Sequence, residues 1–365
     1  MLNNRTVAVV VPAYNEEKQI SRVIETMPAF VDRIVVVDDC SGDGTAELVG
    51  SLIRVEEAYF NPQIATKITE RSFYNEADIV AEQMEIKEME KLVPSELVNS
   101  QPNRSRIILI RNLKNGGVGA SIARGYKWCK DHQIYCTAVM AGDGQMDPEE
   151  LEAICLPVVT GEADYVKGNR LTHPGARELI PASRYFGNSV LSMLTKIASG
   201  YWRVSDTQTG YTAISLAALR KIDVARIYRS YGMPNDMLVK LNIAKCTLRE
   251  VEIKPVYRIG EKSKMKIFRV IPRVSWLLFK AFFKRIWTRY FIRDFHPIFL
   301  FYMFSFLLFL ASVPFFVAIL ENLFVAGKVT PNSILVIYIF LFISGFQSLF
   351  FAMWMDIQDN DRLQK

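Results

Sequence analysis

Thr6-Val7-Ala8-Val9-Val10-Val11-Pro12-Ala13-Tyr14-Asn15-Glu16-Glu17 sets a short β-branched run before a proline and an acidic, polar stretch. Such a run reads as a strand closed by Pro12, with Asn15 placed to cap a helix through Glu16 and Glu17 to about Met27. The pattern recurs. Arg33 to Val37 leads into Asp38-Asp39, Ile107 to Ile110 into Asn112 to Gly119, and Thr137 to Ala141 into Gly142-Asp143-Gly144-Gln145. Strands alternating with helical stretches predict an α/β fold with a Rossmann-like, mostly parallel sheet. Ligands on such sheets collect at the carboxyl ends of the strands, where these polar residues fall.

The chain has 365 residues, half of them apolar, enough for one large α/β domain and an appendage. Its apolar residues are unevenly spread: Pro297 to Ile319 and Ile334 to Met355 carry no charge. A helix over the 23 residues of the first run is roughly 35 Å long at about 1.5 Å per residue, enough to cross a hydrocarbon core of roughly 30 Å. Two spans are therefore expected within residues 295–355, with residues 356–365 as a tail. The early run Thr6 to Val11 is too short for a leader peptide.

The formal charge of +6 is concentrated. Between Arg258 and Asp294, eleven Lys/Arg face only Glu261 and Asp294, so the rest of the chain is net acidic. A basic flank before a first span marks the cytoplasmic side, which predicts a cytoplasmic N-terminal domain and, for a two-span hairpin, both termini on that side. Residues 266–294 mix the basic residues with Phe268, Trp276, Phe279, Phe283 and Trp287, as an interfacial amphipathic segment would. A membrane is thus expected as a partner, and nucleic acid is not. Cys40, Cys129, Cys136, Cys155 and Cys246 have no metal spacing and suit a reducing compartment.

Residues 54–106 interrupt the strand-helix rhythm and read as an insertion in a domain spanning 1–265. One amphipathic helix is expected there, from about Glu76 to Val93.

Chemistry is suggested at three places. Asp38 and Asp39 end a strand beside Tyr14 and Glu16, and Asp39 is suited to accept hydrogen bonds from a base and a ribose; Asp43 suits a helix cap for the stretch from Thr45. Gly116-Gly117-Val118-Gly119 opens a helix to about Cys129, but its spacing and place exclude a dinucleotide loop. Close approach to a ligand and tight helix packing account for these glycines equally well. Asp143 and Gln145, read as extended chain, would set two oxygen ligands on one side, suiting Mg²⁺ or Mn²⁺.

In order, Val9 to Glu17, Asp38 to Thr45, Asn115-Gly116-Gly117 and Gly142 to Gln145 resemble family 2 glycosyltransferases of the GT-A fold. Gly168-Asn169-Arg170, Arg184 with Asn188, Asp206 to Tyr211, and Arg258 to Lys264 are similar to the branch of dolichol-phosphate mannosyltransferases and polyprenyl-phosphate glucosyltransferases. The resemblance implies that Pro12, Tyr14, Glu16, Val37, Asp39 and Gly142 contact the nucleotide of a nucleotide-sugar donor, and that Asp143 with Gln145 holds the metal. It implies that Arg170, Arg184 and Asn188 meet the phosphate of a polyprenyl or dolichyl lipid, and that Arg258 and Lys264 close over the phosphates. Asp236 is weighed equally as an aid to the acceptor and as a helix cap. One departure stands out: Ala141 occupies the place of the family's first metal-motif aspartate, which implies weaker metal affinity. A processive polysaccharide synthase would carry a Q-x-x-R-W motif and more spans, and neither is present. A non-catalytic membrane scaffold is the reading Ala141 favours.

Overall fold

The computed structural model describes residues 1–54, 72, 74–180, 182–256, 267–324 and 329–365, without the side chains of 177, 182–186, 188 and 267–270. Its strands are β1 (Val7–Ala13), β2 (Arg33–Asp38), β3 (Ser95–Leu97), β4 (Ile107–Asn112), β5 (Cys136–Val139), β6 (Tyr165–Asn169), β7 (Thr212–Ser215) and β8 (Leu248–Glu252). They form one sheet in the order β3-β4-β2-β1-β5-β7-β6-β8. The four runs read from the sequence are its contiguous parallel part, β4-β2-β1-β5.

Burial on both faces explains why valine dominates β1, all seven of whose residues are buried. Val10 lies beside Val35 on one side and Val139 on the other. Alternate residues serve opposite cores. Ala8, Val10, Val35 and Val37 pack on α4 (Val118–Asp131), whereas Val7, Val9, Val11, Ile34 and Val36 pack on α1 (Ile20–Glu25), α2 (Thr45–Leu52) and α5 (Leu151–Val159). The expected α/β architecture is the one observed.

Beyond β5 the pattern changes: β7 runs antiparallel to both β5 and β6, and β8 pairs parallel with β6 at the edge. The helix expected within residues 54–106 is α3 (Glu76–Lys91), which ends two residues before the expected boundary. Val80, Met84, Ile86 and Met89 on it are exposed, and it is anchored instead by the buried Glu88, which bonds Lys130 Nζ (2.9 Å) and the Val224 N–H (2.9 Å).

The later helices are α6 (Ala176–Leu179), α7 (Ala182–Ser199), α8 (Leu216–Lys221), α9 (Met233–Ile243) and α10 (Ile267–Arg285), which continues as a π-helical segment, Ile286–Arg293. Then come the apolar helices α11 (Pro297–Phe324) and α12 (Asn332–Asp361). Their most apolar windows are only 11 % buried, so they are not core helices of a water-soluble domain, and both are long enough to cross a membrane. They pack on each other through small and aromatic residues: Ser305 Oγ donates to the Gly345 carbonyl (2.9 Å), and Phe309 meets Phe342 and Phe346. The expected tail is no free tail. Residues 356–361 continue α12, Leu363 is buried in the core of the α/β domain, and backbone bonds join Leu248 to Leu363 (2.7 Å) and Lys365 (2.9 Å).

Candidate active site

Two loops are laced together where β1 and β2 end. Asn15 adopts a left-handed conformation (φ 54°), its N–H donates to Ser41 Oγ (3.0 Å), and its side-chain oxygen accepts from the Gly42 N–H (2.9 Å). Contrary to expectation, Asn15 therefore does not cap a helix; α1 begins only at Ile20, because the intervening residues are spent bridging to the neighbouring loop. The Glu16 N–H donates to Thr45 Oγ1 (3.0 Å), and Asp43 accepts from the Thr45 N–H (3.1 Å) and the Glu17 N–H (3.3 Å). Burial works to raise the Asp43 pKa, but the donors from Thr45 and Glu17 outweigh it and hold the carboxyl below its usual range. The half-exposed Tyr14 and the partly buried Glu16 thus sit on a preorganised loop at the carboxyl end of β1.

Asp39 is 3 % exposed. Its Oδ1 accepts from Asn112 Nδ2 (2.8 Å) and the Gly116 N–H (2.9 Å), and its Oδ2 accepts from the Gly117 N–H (2.7 Å). These three donors already account for a carboxylate at this strand end. Gly117 has φ 85°, and a Cβ there would lie 2.5 Å from the Arg229 carbonyl oxygen; at Gly119 it would lie 2.0 Å from that of Tyr228. The glycines therefore admit the backbone of residues 228–229, the packing explanation rather than a ligand cradle.

β1 and β5 are neighbours whose connections leave in opposite directions, the switch point at which α/β sheets bind ligands. The Gly142 N–H donates to the Pro12 carbonyl (3.2 Å), holding the two loops together. Pro12, Val37 and Gly142 are buried backbone supports here. Asp143 is not in extended chain as expected: its Oδ1 accepts from the Gln145 N–H (3.0 Å), and Gly144 has φ 74°, so residues 142–145 make a tight turn. Among the described residues no group of three His, Cys, Asp or Glu could hold a metal. The nearby Asp147 is committed to the Glu149 N–H (3.0 Å) and to Lys254 Nζ (3.2 Å). One carboxylate with one amide is a hard but sparse donor set, which fits Mg²⁺ or Mn²⁺ if phosphate oxygens and water complete the shell.

Past β6 stands a cluster of opposed charges. Arg170 reaches Asp206 with two parallel bonds, Nε to Oδ2 (2.8 Å) and an η nitrogen to Oδ1 (3.2 Å). Asp206 is 1 % exposed; burial pushes its pKa up, and Arg170 and Lys167 pull it below the usual value. Glu250 accepts from the Asp206 N–H (3.1 Å), the Ser205 N–H (2.9 Å) and Asn169 Nδ2 (3.0 Å), bracing the loop. Lys167 is completely buried and donates to the Thr209 carbonyl; burial pushes its pKa down to about 8.

Asp236 lies inside α9 and caps nothing at that helix's start, where Gly232 is the N-cap. Its Oδ2 accepts from the Tyr228 N–H (2.9 Å) and pairs with Lys240, a structural engagement. Helical spacing sets positions 184 and 188 of α7 on the same side as Ser192, whose hydroxyl meets Thr207 Oγ1 (3.0 Å). The side chains of Arg184 and Asn188, and all of Arg258, Lys262, Lys264 and Lys266, lie outside the described residues.

Residues 8–68 and 94–223, more than half of the chain, match the pattern named Glycosyl transferase family 2. The chain belongs to glycosyl transferase family 2. Among its relatives, the UDP-N-acetylglucosamine–dolichyl-phosphate N-acetylglucosaminyltransferase of Methanococcus voltae is 26 % identical over 256 residues, covering 70 % of this chain and 87 % of that one. The undecaprenyl-phosphate mannosyltransferase of Micrococcus luteus is 32 % identical over 159 residues, covering 43 % of this chain and 64 % of that one. A solved structure of glucosyl-3-phosphoglycerate synthase from Mycobacterium tuberculosis, with Mn²⁺ and uridine diphosphate, aligns at a TM-score of 0.45 and 16 % identity, over 77 % of this chain and 80 % of that one.

The family 2 match skips residues 69–93, which is where α3 stands, and it includes both ends of the stretch 54–106 that the sequence reading set apart. It also ends at residue 223, before Asp236, α10 and the apolar hairpin. Sequence reasoning passed over Lys167 and Glu250 and gave Asp206 no role. A lysine inside the otherwise apolar run Tyr165-Val166-Lys167-Gly168 was the signal, since a buried ammonium needs an acceptor and counter-charges.

Proposed function

We propose that this family 2 glycosyltransferase moves one sugar from a GDP- or UDP-hexose to the phosphate of a polyprenol or dolichol, with inversion at the anomeric carbon and dependence on a divalent ion. The observation that carries this reading is the hairpin: two apolar helices are joined to the catalytic domain at both ends, the second through Leu363 in its core. A transferase so built is suited to an acceptor that stays in the bilayer. The names of relatives acting on dolichyl and undecaprenyl phosphate support the same acceptor class.

In this reading the donor lies over the switch point between β1 and β5, with its base and ribose near Tyr14, Glu16 and the Asp38-Asp39 turn. Asp143 and Gln145 would hold Mg²⁺ or Mn²⁺, which when bound neutralises diphosphate charge. Arg170, aimed by Asp206, would receive the lipid phosphate; the sequence resemblance assigns Arg184, Asn188, Arg258 and Lys264 to the phosphates as well. An oxygen of that phosphate attacks the anomeric carbon, the bond to the diphosphate oxygen breaks, and the nucleoside diphosphate leaves. A phosphate monoester, with a second pKa of about 6, is already largely ionised at neutral pH, so no strong protein base is needed. The protein's work is alignment and charge neutralisation.

Radiolabelled UDP- and GDP-sugars, incubated with purified protein in vesicles containing polyprenyl phosphate, test the proposal. Label should enter a lipid carrying one sugar. Polymer formation, or donor turnover that ignores the lipid, would reject it.

A further inference from the structure

We infer that the seam joining α9, α10, the π-helical segment and the end of α12 is a latch that holds the catalytic domain at one height and angle over the apolar hairpin. Arg285, Arg289, Asp356, Asn360 and Leu363 are then positioning residues for the lipid acceptor, a consequence that rests on the function proposed above.

Three arginines at four-residue spacing close the ends of two catalytic-domain helices. Arg285 donates to the Ala198 (2.9 Å) and Ile197 (3.1 Å) carbonyls in the last turn of α7. Arg289 donates to the Asn242 carbonyl (3.2 Å) and Arg293 to that of Ile243 (2.7 Å), both at the end of α9. Cations are favoured there by the unpaired carbonyls and the helix dipole. The same guanidinium groups hold α12: Arg285 grips Asp356 with two 2.8 Å bonds, and Arg289 reaches Asp359 (2.5 Å) and Asn360 (2.6 Å). Tyr290 donates to Asp356 (2.8 Å), and Asn242 joins Asn360 (2.6 Å).

Arg285, Arg289, Asp356 and Asn360 are each completely buried. Apolar residues would fill such a seam at less cost, because desolvating ions offsets most of their attraction. What directional bonds add is a single register. A greasy contact between α12 and the domain could slide or pivot; a two-bond guanidinium pair whose remaining donors are fixed to helix ends cannot. The chain then continues into the domain, with Leu363 in its core and Lys365 bonded to Leu248. The hairpin is thus clamped at its exit as well as at its entry, and the distance from bilayer to Arg170 becomes a property of the fold.

Two spin labels report the latch directly. With Cys40, the one exposed native cysteine, replaced by serine, labels at Glu152→Cys on α5 and Leu323→Cys near the far end of α11 should give one narrow distance distribution in lipid nanodiscs. Asp356→Ala should broaden it. Leu363→Ala, which leaves no buried charge unpaired, should broaden it too and serves if Asp356→Ala does not fold. A broad distribution in the unmutated background, or an unchanged one in folded variants, overturns the latch.

Kinetics test the positioning role. The same variants should raise KM for a long-chain polyprenyl phosphate in vesicles at least about tenfold, within the roughly hundredfold that a 1 Å misplacement can cost. Donor affinity, and transfer to a short-chain, water-soluble prenyl phosphate, should hold. Equal losses with both acceptors would overturn positioning. If the unmutated protein uses no prenyl phosphate, the functional reading fails, while the distance measurement still decides the latch.

Discussion

Arg170 and Asp206 form a two-bond ion pair in which the carboxylate is almost fully buried and the guanidinium keeps part of its surface. The acid comes from a loop thirty-six residues later in sequence, so it fixes the direction of an arginine that the β6 strand alone would leave free to rotate. Asp206→Asn keeps the shape but loses the charge. Charge-assisted bonds contribute roughly 1.5 to 3 kcal/mol, so acceptor kcat/KM should fall about ten- to a hundredfold while donor affinity, read by calorimetry, changes little. Unchanged acceptor kinetics would return the pair to a purely structural role.

Asp39→Ala should destabilise the fold, because it strands the buried Asn112 amide and the partly buried Gly116 and Gly117 N–H groups. The cost should be on the order of 3 kcal/mol, read from thermal or urea unfolding. A variant as stable as the parent that has lost donor binding alone would instead make Asp39 a ligand contact.

Asp143→Asn retains the Oδ1 that accepts from Gln145, so the turn should survive while the one fixed negative charge of the proposed metal site is lost. Transfer should become undetectable in the folded variant, with Gln145→Ala milder. Full activity in Asp143→Asn, or in excess chelator, would refute the metal assignment.

Lys167 gives the fold a pH signature. Its folded-state pKa of about 8 lies below the ordinary 10.5, so below pH 8 both states carry the proton and the fold bears the full burial cost. Between these values the unfolded chain holds a proton that the folded chain has released, and the contribution of this group to stability rises with pH. The Tm of the protein minus that of Lys167→Met should therefore climb across that window. A flat difference would mean that Lys167 titrates normally.

Topology follows from the docked end of α12, which returns residues 361–365 to the catalytic domain. If the basic flank also marks the cytoplasmic side, both termini face the cytoplasm and the connection between α11 and α12 faces away. In sealed vesicles, a tag at Lys365 should be reached from the same side as one at Met1. Labelling from opposite sides would exclude the hairpin.

The parallel half of the sheet was legible because burial on both faces demands unbroken β-branched runs, and turn residues end them. β6, β7 and β8 were not read as strands: Lys167 in β6 and Glu250 in β8 break the apolar pattern, with partners far away in the chain, and β7 is an uncharged run of only four residues whose neighbours β5 and β6 are set by the fold. Asn15 shows the same limit. Its type suits a helix cap, yet its acceptor is taken by Gly42, a partner that only the pairing of β1 with β2 brings near.

Local chemistry of the chain therefore determined the α/β core, the family motifs and the two apolar helices, since strand periodicity, turn residues and uncharged length are written in neighbouring positions. Tertiary structure alone decided which charges serve which purpose. Arg285 and Arg289 read as part of a membrane-facing basic flank, but α7, α9 and α12 converge on them, and in that dry seam their charge is used for locking helices together. The sign of a charge is set by its residue type; whether it meets lipid, substrate or a buried carboxylate is set by which distant segments the fold brings to it.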